Sequence, residues 1–339
     1  MGIAKLVAAA ALASVPFVFN AAPVQAQQPV KIRVAWVVPV TNLPSLLLAK
    51  PELMTHNGKT YTVEPVRFQG TPPMITALAA GELDIADFAY SSLALAIQNA
   101  GMNDLKVIAD ESRDGAFDYY TAPYFVLKDG PIKTVADLKG KSVASVGAGS
   151  AVDIAMRAML RKSGLEDKRD YNVVEAGFPN MAAMLMSKKV DLISSVLPFS
   201  LDPELQKVAR PLFTIKDAIG PSQLVVWAAR KPFIDKNRAA LVDFLEDSIR
   251  LQHFLIDPKN RNEVLQIAGK ISGQPPERFA SWVFTKGDNY RDPNLVPDID
   301  ALQRNVDTQT ELGFLKAKID IKGKFTDLSL VEEAGKRVK

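Results

Sequence analysis

A short run of small residues has the clearest capacity for binding in this sequence. Residues 143–160, VASVGAGSAVDIAMRAML, predict a strand, a turn at residues 147–150 and an amphipathic helix that Ser150 or Asp153 would cap. The first N–H groups of a helix lack intrahelical acceptors and carry the positive end of its dipole. The turn therefore predicts a site for an anion or another strong hydrogen-bond acceptor, although an ordinary strand-to-helix turn has the same pattern.

Other chemistries lack the residues that they require. No Gly-Lys-Ser/Thr follows the turn, the GxGxxG fingerprint is incomplete, and neither G-x-S-x-G nor H-E-x-x-H occurs in the sequence. The two histidines, His56 and His253, are isolated and there is no cysteine, so we expect neither a metal nor a cofactor. Asp84 and Asp87 are three apart on a predicted strand and would face opposite ways, and we interpret both as structural. We expect a binding protein without catalytic residues.

Composition limits the possible partners. The 339 residues suffice for about two domains, and 47% hydrophobic with 23% charged residues is typical of a soluble globular protein. Lys and Arg number 41 against 38 Asp and Glu, a formal charge of +3. This balance is unlike that of nucleic-acid-binding proteins, and we expect no nucleic-acid partner.

The N-terminus has the pattern of a secretory signal peptide over residues 1–26. Lys5 is its only charged side chain, residues 6–19 are apolar, and Val24-Gln25-Ala26 places small residues at a cleavage site. The absence of cysteine excludes disulfides and a lipid anchor on an N-terminal cysteine. We therefore expect an exported protein that is free in the periplasm.

Hydrophobic patterning predicts strands that alternate with helices, in two α/β blocks before residue 121 and after residue 124. This order favours largely parallel sheets covered by helices. The predicted strands are 31–38, 61–68, 83–88, 106–110, 124–128, 142–146, 171–175, 190–196, one within 208–215, and 223–229. The predicted helices begin at 45, 74, 93, 134, 151, 179, 237, 261, 276 and 297, with a short one near the C-terminus.

Four stretches in this order and spacing resemble one family. They are GTPPMITALAAGELDIADF at 70–88, TVADLKGKSVASVGAGS at 134–150, AGFPNMAAMLMSKKVD at 176–191 and FTDLSLVEEA at 325–334. Together they resemble the periplasmic solute-binding proteins of ABC importers for nitrate, sulfonates, taurine and thiamine-precursor-like compounds, over essentially the whole chain after the signal peptide.

The resemblance implies a two-lobed α/β periplasmic-binding-protein fold of type II, with two crossovers and an interlobe cleft. Lobe 1 would comprise residues 29–121 and 222–339, and lobe 2 residues 122–221. It also implies a small-molecule ligand, the transmembrane subunits of an ABC permease as partners, and a monomer. In such open sheets, ligands bind beyond the carboxyl ends of the strands.

This rule selects candidate ligand-binding residues by position. The candidates are Thr41, Asn42, Gln69, Gly70, Thr71, Tyr90 and Ser91 in lobe 1, and Gly149, Ser150, Ala151 and Phe199 in lobe 2. Arg113, near the first crossover, is a candidate clamp for a carboxylate or sulfonate because guanidinium binds planar oxyanions bidentately. Each has a structural alternative: a helix cap for Ser150, core packing for Tyr90 or Phe199, turn formation for Thr41 and Asn42, and an ordinary surface position for Arg113.

The ligand expected from these residues is a small organic anion, a sulfonate or a carboxylate. The helix N-terminus favours an anionic head group, and Tyr90, Phe199 and Leu43 suit an organic body better than a bare ion. A neutral, pyrimidine-like thiamine precursor is the alternative ligand. An enzyme or a sensory protein on the same fold is the alternative function.

Overall fold

Two separate five-stranded sheets organise the chain, as seen in a computed structural model that describes residues 1–2 and 28–338. The first sheet has the strand order β2-β1-β3-β10-β4 and the second β7-β6-β8-β5-β9. The strands are β1 Val30–Trp36, β2 Tyr61–Arg67, β3 Ile85–Ala89, β4 Leu105–Asp114, β5 Pro123–Leu127, β6 Lys141–Ser145, β7 Tyr171–Glu175, β8 Leu192–Ser194, β9 Ala209–Thr214 and β10 Ser222–Arg230. Nearly all of the predicted signal peptide lies outside the described residues.

Helices cover the faces of both sheets, and in the described part of the chain none is long and apolar enough to cross a membrane. They are α1 Pro73–Ala79, α2 Tyr90–Gln98, α3 Ala151–Lys162, α4 Phe178–Met186, α5 Pro203–Val208, α6 Ile215–Ile219, α7 Lys231–Ile256, α8 Arg261–Ser272, α9 Ile299–Glu311, α10 Ile321–Lys324 and α11 Ser329–Arg337. Phe244 on α7 stacks on Trp227 of β10, with ring centroids 5.6 Å apart. The core of the first sheet lies at this contact.

The sheets are mixed rather than largely parallel. β1 runs parallel to β2 and β3, but β10 lies antiparallel between β3 and β4, and β5 is antiparallel to both of its neighbours. The chain leaves the first sheet at the carboxyl end of β4 and re-enters it with β10. A strand that enters a sheet from the carboxyl edge must run against the strands that end there.

Three helix predictions were wrong. Residues 46–49 form a turn between the short 3-10 helices Leu43–Ser45 and Pro51–Leu53, because prolines at positions 44 and 51 interrupt a longer helix. The helices predicted at 134 and 276 are only the 3-10 turns Val135–Leu138 and Pro276–Phe279. The strand predicted at 106–110 continues to Asp114.

A buried carboxylate fastens the first crossover to the end of β4. One oxygen of Asp114 accepts a hydrogen bond from the Thr121 hydroxyl at 2.5 Å, and the other accepts from the Ala122 N–H at 2.8 Å. Thr121 in turn accepts from the Lys216 N–H at 3.1 Å, which joins the first crossover to α6 before β10. The crossovers at 115–122 and 215–221 are compatible with the predicted lobe boundaries, which stay a prediction.

We expect Trp227→Phe to destabilise the protein more than Trp282→Phe does. The Trp227 indole N–H donates to the Glu111 carboxylate at 2.7 Å, whereas the Trp282 N–H donates to the Arg278 carbonyl at 2.9 Å. Both substitutions remove the same bulk from a buried site, so the difference reflects the bond to a buried charge. Urea unfolding at pH 8 should show an extra loss of about 1–3 kcal/mol for Trp227→Phe. Equal losses would contradict this role of Glu111.

Candidate functional site

A cavity of about 100 Å³ lies beyond the carboxyl ends of strands from both sheets. Small and apolar residues form most of its wall, and hydroxyl, amide and carboxyl groups form the rest. The lining residues are Val37, Val38, Thr41, Asn42, Gly70, Thr71, Asp87, Ala89, Ser112, Ala122, Val146, Ser150, Ala151, Val152, Phe178, Val196, Leu224, Val225 and Asn289. We call this cavity the interlobe pocket. Elements of both predicted lobes must meet to enclose it.

A second, larger cavity of about 320 Å³ adjoins the interlobe pocket, and the two share Phe178 as a lining residue. Phe178, Phe199 and Arg278 are among the residues around this outer cavity. Phe178 and Phe199 stack with ring centroids 6.1 Å apart. The outer cavity therefore also lies between residues of the two predicted lobes.

Six of the twelve candidate residues line the interlobe pocket. They are Thr41, Asn42, Gly70, Thr71, Ser150 and Ala151. The other six do not line it: Gln69, Tyr90, Ser91, Gly149, Phe199 and Arg113. The positional rule selected loops that border the pocket, but within each loop it did not distinguish which residues line it.

Loop residues of the first sheet are held by hydrogen bonds at the pocket wall. The side-chain oxygen of Asn42 accepts from the Val37 and Val38 N–H groups at 3.0 and 2.8 Å. Thr71 shares a hydrogen bond of 2.7 Å with Ser92. The Thr41 hydroxyl reaches the Leu197 carbonyl of the second sheet at 3.4 Å. Asn42 thus shapes its own turn, and Thr41 also joins the two walls of the pocket.

The turn before α3 is partly satisfied by the protein itself. Ser150 caps the helix, since its hydroxyl accepts from the Asp153 N–H at 3.3 Å. The Gly149 N–H donates to the Asp153 carboxylate and the Ala148 N–H to Glu175, both at 2.9 Å. Carboxylates of the chain therefore occupy two donors of the predicted anion site. The N–H groups of the first α3 residues in the pocket wall are the ones left for a ligand.

Tyr90, Ser91 and Gly149 contribute to packing around the pocket. The Tyr90 hydroxyl, buried on α2, donates to the Ala151 carbonyl at 3.4 Å across the two predicted lobes. Ser91 is fully buried beside it. Gly149 has φ +79°, and a Cβ there would lie 2.5 Å from a methyl carbon of Leu95. These residues bring α2 and the start of α3 close together, while Gln69 is exposed.

Arg113 does not line the interlobe pocket, and its role as a ligand clamp stays a prediction. It is 8% exposed, donates to the Val296 carbonyl and lies over the Tyr290 ring at 5.2 Å. Its guanidinium is also 3.8 Å from carboxylate oxygens of Asp110 and Asp292. Arg113 therefore holds the loop before α9 against β4. Phe199 lies in the outer cavity instead of the pocket.

Several lining residues were missed by the sequence analysis, and Asp87 is the most informative. Alternation along a strand places Asp84 and Asp87 on opposite faces, and from the sequence we interpret both as structural. Asp84 does form an ion pair with Arg33 at 2.8 Å, but Asp87 lines the pocket. Asn289 reaches the pocket from a loop about 60 residues after β10, the last strand of the first sheet. The sequence carries no local signal for that contact.

Three buried carboxyl groups on β4 have pKa values above their ordinary range. Burial raises the pKa of Asp110 to about 6 and those of Glu111 and Asp114 to about 7. Hydrogen bonds oppose these shifts: Gln223 and the Asp292 N–H donate to Asp110, and the Leu43 N–H and Trp227 donate to Glu111. Each carboxyl thus fixes a loop or strand that borders the pocket.

One group of potential metal ligands occurs among the described residues, at α7. Ligand atoms of His56, Asp243 and Glu246 lie within 4.8 Å of one another. Arg337 pairs with Asp243 at 3.0 Å, and Arg250 pairs with Glu246. These arginines already supply positive charge to both carboxylates, so the group is explained as an ion-pair network.

Comparisons with known proteins place the chain among transport proteins. The NMT1-like family matches residues 25–269. An aliphatic sulfonates-binding protein of Escherichia coli (strain K12) is 25% identical over 284 residues, which cover 82% of this chain and 83% of that protein.

Solved structures of low sequence identity share the fold. The alkanesulfonate-binding protein SsuA from Xanthomonas axonopodis pv. citri, bound to MOPS, is 18% identical with a TM-score of 0.67 and covers 91% of this chain and 98% of its own. The periplasmic nitrate-binding protein NrtA from Synechocystis PCC 6803 is 17% identical with a TM-score of 0.70, over 92% and 89%. The desulfurization enzyme DSZB is 13% identical with a TM-score of 0.63, over 91% and 99%. The predicted α/β periplasmic-binding-protein fold is confirmed.

The raised pKa values predict that stability falls as the pH rises. Near pH 5 the folded protein still holds protons on Asp110, Glu111 and Asp114 that the unfolded chain, with pKa values near ~4, has released, and it loses them as the pH rises to about 8. The free energy of unfolding should therefore fall by at least about 2 kcal/mol across this range. Urea titrations at several pH values measure it.

Asp114→Asn is the control for this pH dependence. It removes one of the three titrating groups, so the slope of stability against pH should be shallower than in the wild type. Stability that rises with pH over this range would contradict the raised pKa values.

Proposed function

The chain belongs to the NMT1-like family, and we propose on that basis that it is the periplasmic substrate-binding component of an ABC importer. The proposal is that it captures a small organic solute in the interlobe pocket and delivers it to the transmembrane subunits of a permease. The binding proteins among its relatives support this assignment. The signal-peptide pattern at residues 1–26 supports export to the periplasm.

The observation that carries the proposal is that two sheets joined by two crossovers enclose one pocket. Residues 115–122 and 215–221 are the only described segments through which the chain passes between the sheets. Two parallel connections of this kind suit a hinge about which one lobe rotates towards the other. A solute that contacts Thr71 on one side and Ala151 on the other would favour the closed arrangement.

The proposed ligand is a small organic oxyanion, a sulfonate or carboxylate, with its head group at the start of α3. Ala151 and Val152, the first two residues of this 12-residue helix, line the pocket, and N–H groups at a helix start suit an oxyanion. Val37, Val38 and Val196 provide apolar surface for the remainder of the solute. Capture of sulfonates and nitrate by structural relatives is in line with an anionic head group.

A neutral, pyrimidine-like solute is the second candidate, and one observation favours it. Among the described residues that line the pocket, none is Lys, Arg or His. An anion bound there would have no cationic side chain beside it and would depend on hydroxyl, amide and backbone N–H groups and on the helix dipole. The dipole typically contributes about 0.3–1 kcal/mol at exposed sites and up to ~2 kcal/mol when partly buried. A neutral heterocycle needs no countercharge.

An enzyme on the same fold is less well supported. Asp87 is the single titratable side chain among the described lining residues, so the pocket offers no acid–base pair and no activated nucleophile. The shared fold with DSZB does not supply those groups to this chain. A sensory role would use the same pocket with a different docking partner.

Thr71→Trp should abolish solute binding while leaving the protein folded. Thr71 is partly exposed at the pocket wall, so an indole there can extend into the cavity of about 100 Å³ without displacing core residues. A panel of alkyl sulfonates, carboxylates and pyrimidines is first screened by thermal shift, where 100-fold excess over the Kd adds about 2.7 kcal/mol of stability. Calorimetry of a hit should show at least about 100-fold weaker binding to Thr71→Trp.

Thr62→Trp is the matched control, because Thr62 is exposed on the edge strand β2, away from the pocket. It should bind the hit as the wild type does. Wild-type affinity in Thr71→Trp would show that the solute binds elsewhere and would contradict the proposed site.

A further inference from the structure

One carboxyl group in the interlobe pocket takes no part in the hydrogen bonds that hold the fold. Asp87 lies on β3, is 1% exposed and lines the pocket, and neither of its side-chain oxygens has a hydrogen-bond partner among the described residues. Asp110, Glu111 and Asp114 are equally buried, but each accepts hydrogen bonds from the protein. Because a buried carboxyl without a partner costs free energy, its retention at a pocket wall calls for a partner from outside the fold.

The neighbours of Asp87 explain why the protein cannot supply that partner. Trp227 stands beside it in register on β10, but the Trp227 N–H is bonded to Glu111 at 2.7 Å. Ala89, the next residue on the same face of β3, is too small to fill the space in front of the carboxyl group. Asp87 lines the cavity with 1% of its surface exposed, so a solute bound in the pocket lies next to it.

The charges around Asp87 make an added donor favourable. Burial and the charge of Glu111 raise the pKa of Asp87 well above its usual value, and the positive charge of Arg291 offsets this only in part. Arg291 is engaged with Asp288 at 3.0 Å and with the Thr41 carbonyl at 2.7 Å. An N–H group that reached Asp87 from the pocket would satisfy both the hydrogen-bonding capacity and the charge of the carboxylate.

We propose that Asp87 is a specificity-determining residue that accepts a hydrogen bond from an N–H group of the solute. This inference rests on the proposed function, because it requires a solute in the same pocket. The N–H group belongs to an ammonium group on an oxyanion or to the amino group of a heterocycle. In both cases an acceptor on the same solute meets the N–H groups of Ala151 and Val152 at the start of α3. A simple alkyl sulfonate or carboxylate leaves Asp87 without a partner.

Paired probes test this requirement by calorimetry. One pair is 2-aminoethanesulfonate and ethanesulfonate, and the other is 2-aminopyrimidine and pyrimidine; each pair differs only in an amino group. The wild type should bind the amino member of at least one pair about 10- to 100-fold more tightly. A preference within the sulfonate pair assigns the N–H group to an ammonium, and a preference within the pyrimidine pair assigns it to a heterocyclic amino group.

Asp87→Asn should reduce that preference at least about 10-fold, because it removes the charge and one acceptor while conserving shape. Its melting temperature should equal or exceed that of the wild type, since an unpartnered buried acid is removed. Asp84→Asn is the matched control: Asp84 is bonded to Arg33 and does not line the pocket, so this variant should keep the preference while losing stability.

Two results would overturn the inference. Equal affinity within both pairs, or no binding of either amino probe at about 10 mM, would show that the pocket does not require an N–H group. If Asp87→Asn keeps the wild-type preference for the amino probe, another residue recognises the amino group. In either case the proposed function stands if any solute of the panel binds the wild type and fails to bind Thr71→Trp.

Discussion

Four carboxyl groups buried at the carboxyl edge of the first sheet are the constraint on which the pocket depends. Asp110, Glu111 and Asp114 follow one another on β4, and Asp87 lies two strands away on β3. Buried acids are costly unless hydrogen bonds satisfy them. Three of them accept hydrogen bonds from loops and strands that border the pocket, and these hydrogen bonds hold those segments in place. Of the four, Asp87 alone lines the pocket without a hydrogen-bond partner among the described residues.

The same bonds connect the binding site to the crossovers. Asp114 holds Thr121 and Ala122, and Ala122 itself lines the pocket. Glu111 holds the N–H of Leu43, which follows the lining residues Thr41 and Asn42. A change in the position of one predicted lobe would therefore move residues of the pocket wall. This arrangement favours solute binding that is coupled to rotation of the lobes.

The α/β fold is predictable from the sequence, and half of the candidate residues chosen from it line the pocket, because both depend on local signals. The glycine-rich turn, the cap at Ser150 and the apolar strands each occupy a few consecutive residues. The surroundings of Arg113 and Asp87 depend on distant segments instead. Arg113 is covered by the loop that contains Tyr290 and Val296, and Asp87 owes its surroundings to β10, which inserts antiparallel between β3 and β4. Neither contact has a local pattern in the sequence.

The central claim is that a solute closes two lobes over the pocket, and a distance across the outer cavity tests it most directly. The chain has no cysteine, so Asn180→Cys with Glu277→Cys places two spin labels at exposed positions next to the lining residues Pro179 and Arg278. Pulsed electron resonance then measures the distance between the labels with and without a solute that raises the melting temperature. The account predicts a shorter and narrower distance distribution when solute is bound. Identical distributions at saturation would contradict capture by closure of the lobes.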